Sequence, residues 1–246
     1  MISIKSQEEI EYMRTAGKIL KQVLLDLQSY LKPGMTTREL DRKACRIIKK
    51  SGGRPAFKGY KGFPGNICTS INYVVVHGIP KKEKLKEGDI ISIDCGVEYK
   101  GYYADSAETF SVGNVSESAK RLMDVTRKSL YTGINEARSE KRLSNISHAI
   151  QEYVEAKGYS IVRALVGHGI GSRIHEDPEI PNFGKPNKGV LLKPGMTLAI
   201  EPMVNEGSYD IEVLKDGWAI ATKDRKLSAH FEHTVLVTEG EPEILT

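Results

Sequence analysis

One pattern occurs twice in this chain of 246 residues, first as Leu85-Lys86-Glu87-Gly88-Asp89-Ile90-Ile91-Ser92-Ile93-Asp94 and again as Leu192-Lys193-Pro194-Gly195-Met196-Thr197-Leu198-Ala199-Ile200-Glu201. Leu, Lys, Gly and Ile recur at a single offset close to half the chain, and each copy runs a mostly apolar strand into a carboxylate. Two similar halves that each drive an acid to a buried strand end predict a pseudo-twofold fold whose axis passes between acidic groups. An unpaired buried carboxylate is costly, so a cation is expected there. The repeat therefore points to metal ions.

The remaining periodicity supports duplication. Ser6 with Glu9 and Thr36 with Glu39 form capping boxes ahead of two apolar helical stripes, the second stopped at Gly52-Gly53. Val74-Val75-Val76, 89–97 and 102–110 read as strands, the last two joined around Tyr99-Lys100-Gly101. Helical periods return over about 117–137 and 144–157, followed by strands over 196–204, 211–214, 218–222 and 232–237, with Asp216-Gly217 as a hairpin turn. Helices then strands, twice, make an α+β duplication. No linker-like segment divides it, so a single catalytic domain over 1–246 is expected.

The formal charge is only +4, which does not demand a nucleic-acid partner. Cys45, Cys68 and Cys95 are odd in number and wrongly spaced for a disulfide framework or a paired-cysteine zinc site. With no signal-like start and no apolar run of the roughly 20 residues a membrane helix requires, a cytoplasmic protein with no membrane partner is expected.

Four acids stand out by context. Asp94 and Glu201 end apolar runs, and Glu232 opens Thr234-Val235-Leu236-Val237. With a loop centred on Tyr99-Lys100, Asp94 and Asp105 would oppose one another and project to one face. His168 lies within Val166-Gly167-His168-Gly169-Ile170-Gly171, where glycines permit close approach to the backbone, and neither phosphate-loop spacing fits. Four acids and an imidazole form an oxygen-rich set suited to Mn, Fe or Co, and two ions are the natural count for hydrolytic chemistry.

Several separated segments together resemble type I methionine aminopeptidases. They are 70–80 with His77-Gly78-Ile79-Pro80, 88–94, Asp105, 167–171, His175-Glu176-Asp177-Pro178, 199–203 and Phe231-Glu232-His233-Thr234. The resemblance spans nearly the whole chain. It implies the pita-bread fold, a curved antiparallel sheet backed by two pairs of helices, and removal of the initiator methionine from nascent chains whose second residue is small. It implies that Asp94 holds one divalent ion (Mn, Fe, Co or Zn), His168 and Glu201 the other, and Asp105 and Glu232 both. Glu201 would also shuttle protons, His175 would stabilise the developing negative charge, and His77 would contact the scissile amide.

The same resemblance places Tyr60, Phe63, Cys68 and Trp218 around the methionine side chain, with Phe57 and Ile174 nearby. Aromatic walls suit a polarizable thioether. Phe63, Ile174 and Gly96 depart from the residues often found at those places and bear on pocket shape. Cys95 is expected in the core. Lys81, Lys82, Lys84 and Lys86 in one loop suggest transient ribosome contact by a protein that is otherwise a monomer with no sequence-specific nucleic-acid partner. Two rival readings stand beside this one: a proline-directed peptidase of the same fold, and an inactive domain that only binds protein.

Overall fold

In the computed structural model, which describes residues 2–246, both capping boxes form. Helix α1 spans Gln7–Tyr30: the Ser6 amide donates to the Glu9 carboxylate at 2.7 Å, and the Glu9 amide donates to the Ser6 hydroxyl at 3.4 Å. Helix α2, Thr37–Lys50, begins the same way on Thr36 and Glu39, and the chain turns away through Gly52 at φ 82°, a conformation that disfavours any side chain.

Strands β1 (Arg54–Pro55), β2 (Cys68–Ile71) and β3 (Val74–Val76) precede the long hairpin of β4 (Ile90–Tyr99) and β5 (Tyr102–Ser111). Helices α3 (Glu117–Ile134) and α4 (Ser144–Ala156) come next. Then follow β6 (Ser160–Ile161), β7 (Val166–Gly169), β8 (Glu176–Pro181), β9 (Thr197–Ile200) and β10 (Met203–Asn205). The last strands are β11 (Ile211–Val213), β12 (Ile220–Thr222), β13 (Ser228–His230), β14 (Glu232–Leu236) and β15 (Glu243–Ile244).

The main sheet is antiparallel in the order β1-β4-β5-β14-β9-β7-β8, with β2 also on β4 and β15 on β14. Its centre is symmetric. The two copies of the repeated pattern, β4 and β9, flank the inner pair β5 and β14, so a pseudo-twofold axis passes between those inner strands. Ile91, Ile93, Cys95 and Val97 of β4 pack with α1 and α2 in one apolar cluster, and Leu198, Ile200 and Val235 pack with α3 and α4 in another. Each half of the sheet thus carries its own pair of helices, and Cys95 is in the core as expected.

Four local expectations change. Both Lys100 and Gly101 have positive φ, 50° and 85°, so they form the two-residue turn and Tyr99 pairs with Tyr102. The shifted register places Asp94 opposite Ala107 and Asp105 opposite Gly96, rather than opposite each other. A shift of two residues keeps both acids on the same face, so their convergence survives as a diagonal contact. The expected strand 196–204 breaks at Glu201-Pro202, because proline has no amide hydrogen to continue the ladder. Helix α3 stops before Ala137: the amides of Glu136 and Ala137 bond three residues back, to Gly133 and Ile134 at 2.9 Å each, closing the helix in a tighter turn. Trp218 sits in the loop between β11 and β12, where Asp216 Oδ1 accepts from the amides of Trp218 at 3.0 Å and Ala219 at 2.9 Å.

A tether joins the N-terminal segment to the second half. Lys5 Nζ meets Glu176 Oε2 at 2.8 Å, with the two side chains only 3% and 6% exposed. Glu176 also accepts from the Arg173 amide at 3.0 Å and the Ser172 hydroxyl at 3.2 Å, which fixes the loop bearing His175.

Candidate metal centre

The symmetric strands deliver their acids to one place. Asp94 comes from β4, Asp105 from β5, Glu232 from the start of β14, and Glu201 from the break just after β9. His168 joins them from β7. All five line a single cavity of about 170 Å³ whose other walls include Phe57, Tyr60, Lys61, Phe63, Cys68, His77, His175 and Trp218.

Ligand-type atoms of Asp105, His168 and Glu232 lie within 4.8 Å of one another. Asp94 lies against Asp105 and the Cys68 thiol, and Cys68 faces it across the β2–β4 pairing. His168 Nδ1 sits 2.9 Å from the Gly169 carbonyl oxygen. A carbonyl only accepts, so Nδ1 carries the proton and Nε2 turns its lone pair toward the acids. That nitrogen is 3.5 Å from Glu201 Oε1, a lone pair facing an acceptor.

The donor set fits a cation. Asp94 Oδ1, Asp105 Oδ1 and Glu232 Oε1 are buried without a hydrogen-bond partner. Burial, aided by repulsion among the neighbouring acids, holds the carboxyl groups of Asp94, Glu201 and Glu232 well above the ordinary range, and burial pushes Asp105 up to about 7. Each orphaned polar atom costs about 1–3 kcal/mol, more when charged, and a divalent ion coordinated by these oxygens removes that cost.

The rim is histidine-rich. His175 stacks on Tyr60, with ring centroids 5.2 Å apart and an interplanar angle of 18°, and its ring lies 4.2 Å from that of His168. Loss of water contact, then the charges of His168, Lys61 and His77, drop the His175 pKa to about 3, leaving a neutral imidazole. His77 is held at φ 59°, a left-handed conformation that costs a residue of this kind about 1–3 kcal/mol. Its neighbour must be glycine: a Cβ on Gly78 would lie 2.1 Å from the Thr69 carbonyl oxygen.

The aromatic wall is continuous with this centre. Phe63 meets Trp218 edge to face at 5.2 Å, with buried Cys68 in the same apolar cluster. Phe57 lines the cavity, whereas Ile174 sits behind it. A Cβ on Gly96 would be 2.7 Å from Phe57 Cε1 and 3.1 Å from Ile174 Cδ1, so two of the three departures, Gly96 and Ile174, interlock with Phe57 between them and the cavity.

Two neighbours escaped the sequence reading. Lys61 reaches the cavity from a turn, and nothing in the sequence marks it. His230 is 2% exposed, with Nε2 3.8 Å from Glu201 Oε2. Burial and the charge of His77 drop its pKa to about 3. Its signal was its place two residues before Glu232.

An oxygen-rich pocket of four acids and one imidazole, opening beside an apolar side-chain cavity, defines a metal-dependent hydrolase. The sequence pattern of metallopeptidase family M24 matches residues 11–239. A methionine aminopeptidase of Clostridium perfringens is 54% identical over 246 residues, covering 100% of this chain and 99% of its relative. The crystal structure of a methionine aminopeptidase from Thermotoga maritima superposes with a TM-score of 0.99 at 48% identity, covering 100% of this chain and 99% of that one. A prolidase from Pyrococcus furiosus shares the fold, with a TM-score of 0.82 at 24% identity, but this chain covers only 65% of it. The chain belongs to metallopeptidase family M24, among the methionine aminopeptidases, and family membership implies divalent metal.

Proposed function

We propose that this protein removes N-terminal methionine from peptides and nascent chains when the second residue is small, as one catalytic domain spanning 1–246. The observation that carries this reading is the joining, in one cavity, of an under-neutralised acid cluster and a wall of Phe63, Cys68, Trp218 and Tyr60. Aromatic faces suit the polarizable thioether of methionine.

In this reading two divalent ions bind, drawn from Mn, Fe, Co and Zn. Asp94 would hold one, His168 and Glu201 the other, and Asp105 and Glu232 would serve both. When bound, they supply Lewis-acid activation of a water and of the scissile carbonyl. Glu201 takes up the proton released as the carbonyl is attacked and delivers one to the departing amine. His175, neutral, donates its N–H to the carbonyl oxygen as charge develops there, and His77 contacts the scissile amide.

The test is cleavage of Met-Ala-Ser against Met-Arg, Pro-leading and X-Pro peptides with added Mn, Co or Fe. Release of methionine from Met-Ala-Ser and poor turnover of Met-Arg are expected, with Trp218→Ala raising KM. Preferential X-Pro cleavage would move the assignment to a proline-directed peptidase, and metal binding without cleavage of any peptide would favour the protein-binding role.

The proposed workplace is the cytosol, where nascent chains are processed; Cys45, Cys68 and Cys95 are all free thiols, in keeping with reducing surroundings. Among the described residues no helix is long and apolar enough to cross a membrane. Transient ribosome contact by a monomer completes the proposal. Lys82, Lys84 and Lys86 are exposed, while Lys81 pairs with Asp216 at 3.2 Å. Co-sedimentation with ribosomes that weakens steeply with salt and on changing Lys82, Lys84 and Lys86 to Glu is the expected result. Salt-independent binding would remove this part of the reading.

A further inference from the structure

We propose that His230 is a positioning residue for Glu201, donating Nε2–H to Oε2 and so fixing which carboxylate oxygen faces the metal and which handles protons. The inference rests on the function proposed above. His230 is not among the five ligand-type residues, yet it is buried with neither ring nitrogen hydrogen-bonded. Such an orphaned imidazole is costly unless a partner is nearby.

The backbone leaves the ring little choice of place. The His230 amide donates to Thr109 Oγ1 at 3.0 Å, and that hydroxyl donates to the His230 carbonyl at 2.8 Å. Pairing of β13 with β10 sets His230 opposite Met203, beside the Glu201-Pro202 break. There Asn182 Nδ2 holds the Glu201 carbonyl at 3.1 Å, while the carboxylate lies between two imidazoles.

Those imidazoles differ in kind. His168 has its proton on Nδ1 and offers a lone pair at Nε2, 3.5 Å from Oε1, so that side needs a cation between the two. His230 Nε2 is 3.8 Å from Oε2. A carboxylate only accepts, so it selects the Nε2–H form of the neutral ring. The gap exceeds a hydrogen bond, so the proposed contact requires a side-chain rotation of Glu201 toward the ring; catalytic contacts are commonly long before substrate and metal are in place. The two oxygens of Glu201 thus acquire separate tasks from their neighbours, Oε1 toward metal and Oε2 toward His230.

The experiment titrates metal-free wild type, His230→Gln, His230→Asn and His230→Leu with Mn²⁺ by calorimetry, beside thermal melting and steady-state kinetics on Met-Ala-Ser. A glutamine amide reaches about as far as imidazole Nε2; an asparagine amide does not. His230→Leu and His230→Asn are expected to keep the wild-type number of ions while losing about 10–100-fold in Mn²⁺ affinity or kcat, with KM little changed. His230→Gln is expected to recover most of that loss. Wild-type affinity and kcat in either short or apolar variant overturn the proposal, as does loss of one bound ion, which would make His230 a ligand. If His230→Leu fails to fold, the comparison of Gln with Asn decides, and equal behaviour of those two overturns it. A wild type that binds Mn²⁺ but cleaves no Met-Ala-Ser defeats the proposed activity alone, leaving the affinity comparison to judge His230.

Discussion

Asp105→Asn is expected to abolish cleavage of Met-Ala-Ser while making the metal-free protein more stable. The side chain keeps its shape, but one buried charge next to Asp94 disappears, and an amide nitrogen replaces an oxygen that the proposed ions would share. Loss of turnover should exceed the about 10²–10³-fold that removing a single oxyanion donor costs, because both proposed metal sites are damaged. The gain in stability has a definite pH sign. Burial raises the folded-state Asp105 carboxyl from its ordinary 3.8 to about 7, so the folded state holds more protons than the unfolded state between about pH 4 and about pH 7. The contribution of Asp105 to the stability of the metal-free protein therefore falls as pH rises through that window, opposite in sign to that of the buried histidines His175 and His230, and a divalent ion should offset the loss by stabilising the ionised acids. Melting curves of wild type and Asp105→Asn at pH 5 and pH 7.5, with and without Mn²⁺, check this through the difference between the two proteins. Full activity in chelator, wild-type turnover by Asp105→Asn, or a metal-free Asp105→Asn whose stability gain over wild type is no larger at pH 7.5 than at pH 5 would sink the idea.

The acids were legible because the repeat wrote them twice: an apolar run ending in a carboxylate is so expensive that Asp94 and Glu201 announced a cation before any coordinates. Capping boxes at Ser6 and Thr36 were equally plain, since each is a local hydrogen-bond pattern. What sequence could not set was long-range pairing. The turn at Lys100-Gly101 shifted the hairpin by two residues, and only the period of the strand kept Asp94 and Asp105 together. Pro202 was visible, yet its effect, freeing Glu201 from the sheet, depends on which strand the segment would have joined. His230 was hidden for the same reason: its relation to Glu201 is created by β10 and β13 pairing, not by spacing along the chain. The packing of Phe57 and Ile174 over Gly96 is likewise a fact of three distant segments meeting.

His175→Ala is expected to cut kcat on Met-Ala-Ser by about 10²–10³-fold, with little change in KM and the metal content of wild type. The ring rests on Tyr60 and beside His168, but its loop is fixed from elsewhere, by Glu176 clasping Lys5. Truncating His175 therefore leaves the loop anchored and removes only what the imidazole does. Burial, aided by the nearby His168, Lys61 and His77, keeps it neutral, so it offers one N–H and no fixed positive charge. Such a donor interacts weakly with a neutral carbonyl and strongly with the oxygen as charge accumulates, which places its effect on the chemical step rather than on binding. Metal analysis beside steady-state kinetics separates the possibilities: two retained ions with lost turnover support the proposed role, a lost ion makes His175 a ligand, and unchanged kinetics leave it a packing partner of Tyr60.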